Sequence, residues 1–192
     1  MHQNPAEPFV IADHPVLDML NTVSQVDGQA QDEWRSADDV LHWCERLGMT
    51  LALPATYNPG ELLAQARTLR EAVRALVCRR QAGEPADPAP LNGFLRHAAS
   101  YPQVAWAADG GVTLYRVGGP PTLAQALAPM AEAAAQLLVE GDFRRVRQCQ
   151  HPDCILWFYD RTKAQRRRWC SMALCGNRHK VAAHRNRQKL IN

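Results

Sequence analysis

No apolar run in this chain of 192 residues approaches the roughly 20 residues needed to span a bilayer, so no transmembrane helix is expected. Residues 1–12 hold no lysine or arginine and no apolar core, which argues against a standard secretory signal. Fixed-period repeats and low-complexity tracts are missing. So are Gly-x-Gly-x-x-Gly, a phosphate-binding loop, Gly-x-Ser-x-Gly and His-Glu-x-x-His. These absences point to a cytoplasmic protein that is not an enzyme and has no membrane partner. Thiols stay reduced in that compartment, so the six cysteines need a purpose other than disulfides.

What is there is ordinary in bulk: 46% hydrophobic and 21% charged residues, enough for one domain, or a domain and a small module, with its own core. The charge is not evenly spread. From Arg144 onward there are 13 lysines and arginines against 2 acids, a balance of +11. The preceding residues carry −8. A basic tail on an acidic body points to a polyanion, usually nucleic acid. The tail could also solubilise the chain, bind an acidic protein, or fold back on its own acidic body.

Hydrophobic spacing predicts a mostly helical body. Val16, Leu17, Leu20 and Val23 suggest a helix over 13–25. Ser36 and Asp39 have the spacing of a capping box, and Gly48 would end that helix. Asn58, Pro59 and Glu61 open the strongest helix, which runs to residue 82 with Leu62, Ala66, Leu69, Val73, Leu76 and Val77 on one face. A shorter helix is expected over 91–100. Residues 103–107 and 112–117 flank Asp109-Gly110-Gly111 as a β-hairpin would. Another long helix follows Pro120-Pro121, with a kink expected at Pro129. Cys44 and Cys78 lie among apolar helix positions and are expected to be small buried hydrophobes.

The last quarter carries the chemistry. Cys149 and Cys154 enclose four residues, Cys170 and Cys175 enclose four, and fifteen lie between the pairs. Two paired thiols a short loop apart suit a tetrahedral structural zinc site. His151, His179 and His184 leave a Cys₃His set open, though four thiolates are simpler. Buried thiols, redox-active disulfides and an iron–sulfur site are the alternatives. No glutamate adjoins a ligand histidine, so the one Zn²⁺ expected here is structural. Such metal binding can contribute on the order of 10–16 kcal/mol, so a chelator should melt 144–192 and spare the body.

The run Cys149-x₄-Cys154, Trp157 to Thr162, Arg168-Trp169-Cys170-Ser171-Met172 and Cys175-Gly176-Asn177-Arg178 resembles the CGNR zinc-finger family over about 45 residues. Ile155 stands where that family commonly has glycine. Leu17-Asp18-Met19-Leu20-Asn21-Thr22 is similar to the Leu-Asp-Phe-Val-Asn-Thr opening of the ABATE domain that usually precedes such a finger. The two resemblances imply zinc on Cys149, Cys154, Cys170 and Cys175, and a stress-induced transcription regulator whose partner is DNA.

The expected fold is therefore α+β and mostly helical. A helical body with one β-hairpin spans 1–143, and a treble-clef-like or knuckle-type zinc module spans 144–192. Arg166, Arg167, Arg168, Asn177, Arg178, Lys180, Arg185 and Arg187 are the candidate nucleic-acid contacts, on or near a C-terminal helix with Val181 and Ala182 turned inward. Asn177 could instead cap that helix. Trp157, Phe158 and Trp169 are expected in the module's core rather than stacked on bases. Asp18, Asn21 and Thr22 are polar residues in an apolar helix and could face a small-molecule effector, or form buried hydrogen bonds. The body would sense that effector or mediate association, for instance as a homodimer. A zinc-stabilised protein-interaction or RNA-binding module is the alternative function.

Overall fold

The computed structural model describes residues 10–26, 28–98, 100–118 and 121–189. Helix α1 (Pro15–Leu20) has His14 at its cap and proline at its first position. It is shorter than the apolar spacing predicts. The Thr22 hydroxyl folds back onto the Met19 carbonyl at 2.8 Å, and the chain leaves as strand β1 (Val23–Val26). Gly28, at φ +79°, turns β1 into the antiparallel β2 (Gln29–Asp32). The β-branched residues at 22, 23 and 26 suit a strand as well as a helix, and the glycine decides between them.

Helix α2 (Ala37–Arg46) opens with the expected Ser36–Asp39 capping box. Helix α3 (Pro59–Gln81) opens on the Asn58 side chain. All six apolar positions expected on its inner face are buried, and Arg70 is buried with them. Helix α4 (Ala89–Leu95) runs into a 3-10 turn, and strands β3 (Ser100–Trp106) and β4 (Val112–Gly118) form the expected hairpin. The predicted helix after residue 120 is two helices, α5 (Leu123–Ala126) and α6 (Ala128–Glu140), broken at Leu127. Pro129 falls in the first turn of α6, where its missing N–H costs no hydrogen bond.

The remaining elements are β5 (Val146–Gln148), β6 (Trp157–Tyr159), a π turn over 172–176, and α7 (Asn177–Lys189). The described residues thus hold three two-stranded antiparallel sheets, where the sequence predicts one hairpin. The mixed, mostly helical character stands. No helix among the described residues is long and apolar enough to cross a membrane.

Two cores meet at β5–β6. The larger gathers Leu17, Leu20, Trp34, Trp43, Leu69 and Val73 from the body, and takes in Val146 and Trp157. The smaller holds Leu156, Phe158 and four cysteines, with Ile11 against it. Alternation along β6 explains the split: Trp157 and Tyr159 face the body, and Phe158 faces the cysteines. Trp157 and Phe158 are core residues as expected, while Trp169 is only partly buried. The tail is not a separate bead, because its hairpin is a wall shared by both cores.

Three arginines one or two turns apart on α3 hold the end of α1 and the β1–β2 ribbon to the helix. Arg70 grips Asp32 through two hydrogen bonds of 2.8 Å, and reaches Thr22 Oγ1 and Glu71. Arg67 donates to the Trp34 carbonyl, and Arg74 to the Leu20 carbonyl. The Arg70 guanidinium also lies 5.1 Å from the centre of the Trp34 ring.

Candidate metal centre

Cys149 leaves β5 and Cys154 closes the turn that leads to β6. The Cys149 N–H donates to the Leu156 carbonyl at 2.8 Å, and the Cys154 N–H donates to the His151 carbonyl at 3.0 Å. Cys170 and Cys175 flank the start of the π turn. Ser171 caps it, accepting from the N–H groups of Ala173 and Leu174. The N–H groups of Cys175 and Gly176 both reach the Ser171 carbonyl. This wider turn lets residues five apart bring their sulfurs together.

The four sulfurs lie within 4.8 Å of one another. Cys154 Sγ to Cys170 Sγ is 3.8 Å, and Cys170 Sγ to Cys175 Sγ is 3.6 Å. A tetrahedron with Zn–S bonds of about 2.3 Å has sulfur–sulfur edges of about 3.8 Å, so the donors fit one Zn²⁺. None of the four is in a disulfide. Backbone N–H groups of Cys170 and His151 point at the Cys149 sulfur, and that of Leu156 at Cys154. Such donors favour thiolates.

Without a cation the four thiols cannot all ionise side by side. Hydrogen bonds from the Cys154 and Cys170 thiols pull the Cys149 thiol far below its ordinary range. The same bonds to Cys149 and Cys154 hold the proton on Cys170. Burial, then the charge on Cys154, push Cys175 up to about 12. A divalent cation is the group that allows all four to ionise together. His151 is not in the donor group; its Nδ1 accepts the Asp153 N–H at 3.2 Å. His179 lies against the Trp169 ring at 4.7 Å between centroids.

The basic candidates divide. Arg167 is partly buried and fully engaged: it donates to the carbonyls of Ile11, Trp169 and Cys170, pairs with Asp13, and lies 4.4 Å from the centre of the Phe158 ring. Its place is in the seam between the body and the cysteine cage, with about a fifth of its side chain still exposed. Arg166, Asn177, Arg178 and Lys180 are exposed, with no ion pair among the described residues. Arg168 is exposed, bonds Gln150 at 2.7 Å and stacks on Trp169. Arg185 and Arg187 fall on α7, but their side chains lie outside the described residues.

Val181 and Ala182 are exposed, contrary to expectation: their side of α7 meets no second surface among the described residues. Asn177 does not cap it. Ser171 already caps the helical path, which starts at Met172, and Asn177 has helical dihedrals. Among the described residues one ion pair joins the body's acids to the segment after residue 160, Arg167 with Asp13. Among the described residues none of the body's acids pairs with Arg166, Arg168, Arg178 or Lys180.

Asp18, Asn21 and Thr22 are brought together on α1 and just after it, and all three are buried. Asp18 accepts from the N–H groups of Ile11 and Ala12 at 2.8 and 2.9 Å. Asn21 bonds both backbone groups of Trp157, and Thr22 bonds Met19 and Arg70. Their polar groups are taken up by the protein itself. A cleft of about 630 Å³ lies nearby, lined by His14, Gln136, Glu140, Arg145, Tyr159 and Arg161. Cys44 is buried as expected, its thiol pushed up to about 12 by burial, whereas Cys78 is exposed.

The spacing of motifs did not single out Asp160. It is fully buried and accepts from Thr162 through backbone and hydroxyl, and from the Arg167 N–H. Burial works to raise its carboxyl, but these hydrogen bonds prevail and hold it below the usual carboxylate range. Asp-x-Thr is the sequence signal of such a turn.

Residues 13–141 match the family model ABATE, described as "Putative stress-induced transcription regulator". Residues 145–188 match the CGNR zinc finger. No curated protein matches the chain.

Proposed function

The chain belongs to the ABATE family and carries a CGNR zinc finger behind that domain, and we propose on this premise that it is a zinc-stabilised transcription regulator that contacts DNA through the finger. The observation that carries the reading is the pairing of a rigid thiolate cage with cations that have no ion pair among the described residues. Arg166, Arg168, Arg178 and Lys180 stay exposed around Cys170 and Cys175. The first turn of α7 presents Asn177 and Arg178, side chains that can bond base edges while their neighbours hold phosphates. Bound zinc would be a crosslink that fixes this surface and would take no part in chemistry; the chain is read as a binder, not an enzyme.

Affinity of the zinc-loaded chain for a random duplex, measured across a salt series, tests this. The expected result is salt-steep binding whose log–log slope becomes shallower by roughly 0.9 for each phosphate-contacting cation removed. Replacing Arg166, Arg168, Arg178 and Lys180 together by alanine should flatten it by about 3 to 4. Unchanged slope in that variant overturns the assignment. Tighter binding to single-stranded RNA than to duplex supports the alternative RNA-binding module.

The body's role in this reading is to sense an effector or to bring copies together. With Asp18, Asn21 and Thr22 engaged internally, the room for an effector is the cleft beside α1, α6 and β6. Arg145 pairs with Asp142 at 3.4 Å, so Arg161 is the cation there with no ion pair among the described residues, which suits a small anion. Citrate should raise the melting temperature, and Arg161→Gln should abolish the rise. No rise in the parent protein leaves association as the body's role.

A further inference from the structure

The β3–β4 hairpin stands apart from both cores. Its register pairs Val104 with Leu114 and Trp106 with Val112, so these four side chains share one face. None is covered: Trp106 is 77% exposed, Leu114 72%, Val104 62% and Val112 56%. The opposite face carries Gln103, Thr113 and Tyr115, with the Tyr115 hydroxyl bonded to Gln103. The ribbon is amphipathic, yet its apolar side stays exposed among the described residues. Isolated two-stranded hairpins are marginal in water, and a bare apolar patch on the order of 500 Å² is the size that monomers keep for a partner.

We propose that this face is the seat of a homodimer, in which the apolar sides of two hairpins pack on each other about a two-fold axis. This gives the association role proposed above a surface. Two such faces would bury roughly 1,000 Å², the size at which specific interfaces begin. The face is self-complementary: an axis through the Val104–Leu114 pair lays the Trp106 end of one ribbon over the Pro102 end of the other. The sequence of the hairpin holds one acid, Asp109, and one base, Arg116, so two copies brought together carry no net charge on their ribbons. Both ribbon edges also have unpaired backbone groups available to a second copy.

The test is sedimentation equilibrium of the full, zinc-loaded chain from about 1 to 100 µM, with no DNA present, so its outcome is independent of the nucleic-acid reading. The expected result is a mass that rises with concentration toward twice 21.4 kDa. Trp106→Glu and Leu114→Lys should each return it to the monomer, with the far-UV spectrum and zinc content unchanged, since the hairpin belongs to neither core. Acrylamide quenching of Trp106 should fall as the wild-type concentration rises. A monomer at the highest concentration, including one whose hairpin is covered only when another protein is added, overturns the proposal. So does a dimer that both variants leave intact.

Discussion

Asn21 and Trp157, 136 residues apart, exchange two hydrogen bonds: the Asn21 amide donates to the Trp157 carbonyl at 2.8 Å, and the Trp157 N–H donates to Asn21 Oδ1 at 2.7 Å. The side-chain amide stands in for a neighbouring strand and ties α1 to β6. Both residues are buried, so neither bond can be replaced by water.

Asn21→Ala should therefore destabilise the protein by about 2–4 kcal/mol, since it strands a buried N–H and a buried carbonyl. Asn21→Asp should be similarly damaging, because it keeps the acceptor and loses the donor. Denaturant unfolding measures both. A loss within the scatter of a surface substitution would show that the tie is not needed.

Zinc removal should reach beyond the finger. Val146 and Trp157 sit in the body's core, so releasing the cysteine cage frees the hairpin that supplies them. The expected outcome is one Zn²⁺ per chain, and a chelator that lowers the melting of the helical body together with the tail. Calorimetry with and without chelator reads this, and a body transition that stays in place counts against the shared wall. Cys170→Ser should have the same sign, with reduced zinc content.

Asp18 makes stability depend on pH in an unusual direction. Burial pushes its carboxyl up to about 6, against hydrogen bonds from Ala12 and Ile11 that pull it down; the charge on Asp13 adds a rise. In the unfolded chain the same group titrates near 3.8. Between these values the folded state holds the extra proton, so stability falls as pH rises from about 4 to 6 and stays lower above. Asp18→Asn keeps an acceptor for both N–H groups and removes the charge. Its melting temperature should gain on the parent's as pH rises through that window.

Arg70 should be the most damaging single charge to remove. Arg70→Ala removes the two-bond grip on Asp32 and the donor to Thr22, leaving Asp32 with Arg67 at 3.1 Å and the Trp34 N–H, at a cost of about 3 kcal/mol. Burial tends to raise Asp32, but the Arg70 guanidinium outweighs it and holds the carboxyl below its ordinary 3.8. The contribution of the pair is thus complete above that pH and is lost as pH falls through the lower folded value. Acid unfolding of the parent and of Arg70→Ala should converge at low pH.

Much of the body was legible because local signals agreed with the tertiary outcome. Ser36 with Asp39, Asn58 with Pro59, and the six apolar positions of α3 each act within a few residues. The four thiols were legible for a similar reason, as spacing fixes what a tight turn can bring together. What pattern could not supply were relationships between distant segments. Arg167 reads as one more basic residue of a cluster, and only its contacts with Ile11, Asp13 and Phe158 place it inside a seam. Arg70 breaks an apolar face that periodicity marks as uniform. The end of α1 turned on Gly28 and the Thr22 hydroxyl, weak cues beside a regular apolar stripe.

The shared hairpin also has a bearing on biosynthesis. A ribosome delivers α1 to α6 before the strand that carries Trp157. Until that strand emerges, the nascent body has an open slot beside Asn21, Leu17 and Leu20, and its hydrogen-bonding partner has not been translated. The polypeptide therefore commits late, and a prematurely terminated product carries a sticky, incomplete interior that chaperones and proteases recognise. Availability of metal at that moment becomes a checkpoint on the yield of the entire molecule, not only of its last forty-odd residues.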